Sequence, residues 1–299
     1  MVIEDLIPIR VAEKNPIDML PIAFLYSTMA IFLAAWIFPS NAAIVAVFLA
    51  TLACMPLMLS LIGFEKEKEE LHRDYLKRVV YSLFGGAKSH GASEPAEQLL
   101  PFFIWLFLGL AVAFTFWFAV LPKDFAANLF YVQLNTIKEI NLGFSGNSAA
   151  IGLFFSKILL NNIKVLAFAV LFSIIYGAGA IFILVWNASV IGVAIGDTMR
   201  NALSAYAPAI GFVSIAGYST AIGSSLMRYM LHGIPEILAY FIGALAGGMI
   251  SIAVVRHEWN SEKFEATTYN ALGLVIMAIL ILVIAAMLEV TVSPLILVK

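Results

Sequence analysis

The chain has 299 residues, 62% of them hydrophobic and 12% charged, with a formal net charge of −2. Soluble domains hold roughly 45–50% apolar and about 25% charged residues, so lipid must be the solvent for much of this chain, whose mean hydropathy is +0.98. The charge excludes nucleic acid as a partner, since no basic face meets phosphates, and the single cysteine, Cys54, excludes an intrachain disulfide or a cysteine metal cluster.

In chain order, Met1–Asp18 carries Glu4, Asp5, Glu13 and Asp18 beside Arg10 and Lys14. That is not the basic start of a cleaved signal peptide, and the first apolar run is read as a permanent span. A span needs about 20 apolar residues at a rise of 1.5 Å each. Leu20–Phe38 and Ala42–Phe64 qualify, and with only Pro39, Ser40 and Asn41 between them they read as a helical hairpin within residues 1–64. Residues 65–100 form a charged loop whose Gly- and Ser-rich end, Gly85–Ser93, is a linker. A transmembrane core fills residues 101–299, with clear spans at Pro101–Leu121, Val165–Trp186, Leu231–Val255 and Ala271–Val292.

Two segments of the core are less regular. Asn147–Leu160 is too short to span and leans its apolar residues to one side, with Ser156 and Lys157 on the other. It reads as an amphipathic helix lying in the outer interface. Ala205–Met227 is uncharged but interrupted by Pro208, Gly211, Gly217 and Gly223. It either crosses as an irregular helix or dips in as a re-entrant segment. The expected fold is therefore all-α, a polytopic transmembrane helical bundle of about seven membrane segments plus one interfacial helix. Lys66, Lys68, Arg73, Lys77, Arg78 and Lys88 make the 65–100 loop cytoplasmic by the positive-inside rule. The N-terminus is then inside the cell membrane, Pro122–Asn162 outside and Arg200 inside. If Ala205–Met227 crosses, Arg256 and Lys263 also lie inside and the C-terminus lies outside.

An ionisable side chain at membrane depth costs about 2.5–3.5 kcal/mol on insertion scales, so each one needs a reason. Arg228, His232 and Glu236 share one side of a continuous helix at i, i+4 and i+8. Pro235 leaves a second geometry open, in which a new helix starts there with Glu236 in its first turn. The cluster is either a structural polar knot or a site for a ligand, ion or partner. Asn161 and Asn162, Asn187, and Glu289 near the end of the last span are further candidates. Asparagines of this kind more often cap or glue helices than bind a ligand. Gly243, Gly247 and Gly248 make a helix-packing surface.

Three intramembrane hydrolase chemistries would each need a particular set of residues. The histidines, His72, His90, His232 and His257, include no HExxH pair for zinc. No Phe stands four before any His, and the Glu69–Glu70 pair lies in the loop, which removes a glutamate-dependent membrane protease. Gly143-Phe144-Ser145-Gly146 matches the rhomboid GxSG, with His232 later in the chain, but sits in a polar loop before a segment too short to span. The expectation is no enzyme, no metal and no cofactor.

Leu159-Leu160-Asn161-Asn162-Ile163-Lys164-Val165, then Gly177 and Gly179, Asn187 and Gly192, and His232-Gly233-Ile234-Pro235-Glu236 stand in a telling order. Together with Ala285-Ala286-Met287-Leu288-Glu289 before Ser293-Pro294, this series resembles the stage II sporulation protein M (SpoIIM-like) family. The resemblance covers about Pro101–Lys299 and implies a five-helix core. The N-terminal hairpin and its charged loop look like additions found in archaeal members. Asn161, Asn162, Asn187, His232 and Glu236 match the family pattern, and Arg228 does not belong to it. The resemblance implies a non-enzymatic scaffold or component of a membrane complex, with other membrane proteins or a second copy as partners. Sporulating members work in a complex that recruits peptidoglycan-degrading enzymes. The alternative from the residues themselves is a transporter or channel with its site at Glu236, since discontinuous helices expose dipole ends to solutes.

Overall fold

The computed structural model describes residues 15–67, 95–142, 151–176, 179–206, 212–255 and 261–292. These residues form nine α-helices and two short 3-10 turns, with no strand among them. The helices are α1 (Met19–Ile37), α2 (Ala42–Glu67), α3 (Pro95–Val120), α4 (Lys123–Leu129), α5 (Tyr131–Leu142), α6 (Ile151–Tyr176), α7 (Gly179–Tyr206), α8 (Phe212–Val255) and α9 (Glu262–Thr291). Seven of them are long and apolar enough to cross a membrane.

Helical spacing decides which side of each span meets protein. In α1 the buried residues are Met19, Ala23, Ser27, Ala30, Ile31 and Ala34, which fall on one face of the helix and, apart from Met19 and Ile31, are small. Leu25, Met29, Leu33 and Trp36 on the opposite side are exposed. Small residues thus face neighbouring helices and large apolar ones face lipid, the division expected where lipid is as apolar as a leucine side chain. Pro39–Asn41 forms the turn between α1 and α2, as the sequence predicts.

The core departs from the predicted partition. The expected span Val165–Trp186 is two helices, since α6 ends at Tyr176 and α7 begins at Gly179. From Ile151 onward the segment expected to lie in the interface is the first part of α6, whose spanning stretch is Gly152–Ile174. Lys157, Asn161, Asn162 and Lys164 lower the local hydropathy, which shifts the best apolar window toward the C-terminus and across the junction. Ala205–Met227 is not an independent segment either. Residues from Phe212 onward form the first half of α8, a 44-residue helix with Pro235 inside it. Of the two geometries left open at Pro235, the helix takes the continuous one. α9 starts at Glu262, with the Ser261 hydroxyl accepting from the Phe264 amide at 3.1 Å and Glu262 and Glu265 in the first turn, where acidic groups suit the positive end of the dipole.

The order of helices also relocates Arg200. Its guanidinium donates to the carbonyls of Phe118, of Ala119 at 3.2 Å and of Leu121 at 2.6 Å. These are the unsatisfied carbonyls at the end of α3, and a cation there meets both their lone pairs and the negative dipole end. Arg200 therefore lies at the same end of the bundle as Leu121, not at the opposite end as the sequence-derived topology had it.

Candidate functional site

The side chains of α6 that turn inward are Asn162, Leu166, Ala169 and Ser173, all buried at spacings of three and four. They face a matching seam on α8 formed by Glu236, Tyr240, Gly243 and Gly247. The two helices run in the same direction, because Asn162 meets Glu236, Leu166 meets Gly243, and Val170 and Ser173 meet Gly247. At Gly247 a Cβ would stand 2.5 Å from the Val170 carbonyl oxygen and 2.8 Å from the Ser173 Cβ, so only glycine lets the backbones approach this closely. The Gly243–Gly247 step is therefore used inside the chain. Gly248, with nothing within 4 Å of a Cβ placed there, faces away.

At one end of this seam the Asn162 side-chain amide donates to the Glu236 carboxylate at 2.5 Å. Glu236 is partly buried. Glu289, from the last turn of α9, is buried, as is Tyr240 one turn beyond Glu236. Glu236, Tyr240 and Glu289 lie within electrostatic reach of one another. Three helices distant in sequence thus converge on one polar junction: α6 through Asn162, α8 through Glu236 and Tyr240, and α9 through Glu289. A side-chain hydrogen bond between helices satisfies polar groups that lipid cannot, and such bonds contribute about 1 kcal/mol.

The remaining candidates separate. His232 is partly buried one turn before Glu236 on α8. Asn187 turns back on its own helix, donating to the Ile183 carbonyl at 2.8 Å. It also lines a small pocket with Phe103, Leu184, Ile237, Tyr240 and Phe241, so it reaches the junction from behind, past Tyr240. That pocket has a cavity volume of about 10 Å³, at the threshold for a single water. Asn161, beside Asn162 in sequence, faces outward. The Arg228 side chain lies outside the described residues, as do the 143–146 motif and residues 68–94. Among the described residues, no group of three or more His, Cys, Asp or Glu side chains could hold a metal ion.

Three polar residues of the structure were not singled out as candidates. Tyr240 had a signal, its spacing of four from Glu236. Arg200 and Gln133 had none that sequence carries. Gln133 on α5 is fully buried and its amide donates to the Ala43 carbonyl and the Ser189 hydroxyl, each at 3.3 Å. Both act on helices far away in the chain.

A family model described as Stage II sporulation protein M matches residues 102–294. An uncharacterized protein of Methanocaldococcus jannaschii is 28% identical over 168 residues, covering 55% of this chain and 85% of that protein. No solved structure matches the chain significantly. The matched residues run from α3 to the end of α9 and contain every side chain of the polar junction.

Proposed function

We infer, for a chain that belongs to the stage II sporulation protein M family, that it acts without catalysis of its own, as a scaffold in a membrane complex. The observation that supports this reading is the Asn162–Glu236 bond. A carboxylate committed to holding α6 against α8 serves the shape of the bundle, and the neighbouring pocket of about 10 Å³ has no room for a solute. What the protein then offers is a fixed outer surface for other membrane proteins or for a second copy.

The same reading places the N-terminus in the cytoplasm and the C-terminus outside. Supporting it, seven alternating spans would bring Lys68, Arg73, Lys77, Arg78 and Lys88 to the same side as Arg256 and Lys263, the Lys and Arg residues that the positive-inside rule counts. Arg200 and α4–α5 fall on the other.

The test is recovery of partners with a tagged chain from its native membrane. Asn162→Ala is expected to stay in the membrane fraction and to lose co-purifying partners. Unchanged recovery would remove the junction from any scaffolding role. One observation favours a second reading, a transporter with its site at Glu236: Glu289 is buried beside Glu236, and paired intramembrane carboxylates are costly for structure alone. Reconstituted protein that passes ions or protons above empty vesicles, and stops doing so with Glu236→Gln, would replace the scaffold reading. Absence of flux would leave it standing.

A further inference from the structure

The outward face of α6 is unlike that of the other spans. Lys157, Asn161 and Lys164 are exposed and succeed one another at spacings of four and three, so they form one stripe. The two lysines are separated by roughly 10 Å along the axis, at a rise of 1.5 Å per residue. Around and beyond the stripe, Leu160, Phe168, Leu171 and Phe172 are 58%, 55%, 54% and 41% exposed. The helix is the least buried of the seven spans, with 22% of its spanning window covered by protein. Its inward face is fully used against α8, so this is the side it turns to the bilayer.

Two ammonium groups and an amide on a lipid-facing helix need an anionic, oxygen-rich counterpart. We propose that the Lys157–Asn161–Lys164 stripe binds the headgroup phosphate of an anionic phospholipid, with the acyl chains lying along Phe168, Leu171 and Phe172. The chemistry selects this occupant over a second copy of the chain. A symmetric pair of these faces would bring lysine against lysine, whereas a phosphate satisfies both ammonium groups and accepts from the Asn161 amide. The lysine stems are long enough to run along the apolar surface and raise their charges to headgroup level. The inference is independent of the scaffold reading, because the stripe lies on the face of α6 opposite Asn162.

Detergent-purified full-length protein titrated with phosphatidylglycerol or phosphatidylcholine, and read by native mass spectrometry, tests this. The wild type is expected to retain phosphatidylglycerol at least tenfold more readily than phosphatidylcholine. Lys157→Gln with Lys164→Gln removes that preference, and Lys157→Arg with Lys164→Arg keeps it. A glutamine pair that retains the wild-type preference overturns the proposal. So does an equal loss of bound lipid when millimolar inorganic phosphate is added, since a free anion would then be the ligand. Efficient disulfide cross-linking of Lys157→Cys between two chains, unaffected by phosphatidylglycerol, would assign the face to a second copy instead. If the glutamine pair does not fold, Lys164→Gln alone must lower the preference for phosphatidylglycerol; an unchanged preference overturns the proposal.

Discussion

One hydrophobic cluster joins α1, α2, α3 and α7 with the short helices α4 and α5 and with Phe241 of α8, and large aromatic rings fill it: Phe103, Phe107, Phe114, Phe118 and Phe130 are all buried. The other joins α6, α8 and α9 with Ile183 of α7, and its buried residues are mainly alanine, leucine and isoleucine, with Tyr240 the aromatic exception. In the first, Phe130 meets Phe114 and Phe118 at ring centroid distances of 6.1 and 5.7 Å. In the second, backbones touch at Gly247, and carboxylates and amides meet at Asn162, Glu236 and Glu289. Between helices in lipid, burying an apolar side chain brings no release of water, so association must come from fitted shape or from polar pairing. The first half leans on fitted aromatic shape, with Gln133 and Arg200 among its polar contacts, and the second adds a junction of carboxyl and amide groups. The junction of Asn162, Glu236, Tyr240 and Glu289 lies entirely within the part shared with the family.

The sharpest way to break the comparison is to crowd the first half. Gly192 on α7 has no space for a Cβ, which would stand 2.7 Å from both the Ala111 carbonyl and the Phe114 Cβ. Gly192→Leu is expected to cost on the order of 3 kcal/mol or more and to leave little monodisperse protein after size exclusion. Phe114→Ala empties the same region, and should lower stability by about 3 kcal/mol in a thermal or SDS unfolding assay. If it costs less than the polar variants below, aromatic interlock does not hold the first half.

The second half is tested by its hydrogen bond. Asn162→Ala is expected to cost about 1–2 kcal/mol, since it strips Glu236 of a donor. A double-mutant cycle with Glu236→Leu should return most of that amount as coupling, and a cycle with no coupling would show that the bond contributes nothing to stability. The finest comparison uses two adjacent glycines. Gly247→Ala should cost about 1 kcal/mol, because its methyl meets the α6 backbone, while Gly248→Ala should stay within about 0.5 kcal/mol. Equal costs would mean that the α6–α8 seam is misplaced.

Much of this architecture was legible in the sequence. The hairpin before residue 68, the span from Pro101 and the all-helical class follow from apolar run length alone. The α6–α7 boundary does not. A hydropathy window rewards apolar residues whether or not they belong to one helix, and it penalised α6 for the asparagine and lysines it needs. Glu236 and Asn162 were both visible as costly groups, but that they bond to each other depends on two helices lying side by side in register, 74 residues apart in the chain. Asn161 and Asn162 make the same point at shorter range. They are the same residue type in adjacent positions, and the 100° turn between them sends one into the junction and the other to the bilayer. The closing of α3 by Arg200 is likewise a product of tertiary arrangement.

The Asn162–Glu236 bond also bears on how the protein is made. Ribosomes deliver α6 to the membrane before the carboxylate that will accept its amide has been synthesised, and Glu289 arrives only as the last helix is completed. Its own spanning stretch has a mean hydropathy of 1.7 against 3.1 for α9. The α6–α8 seam can therefore close only once α8 has been made, and Glu289 joins a junction that is already fastened by Asn162 and Glu236.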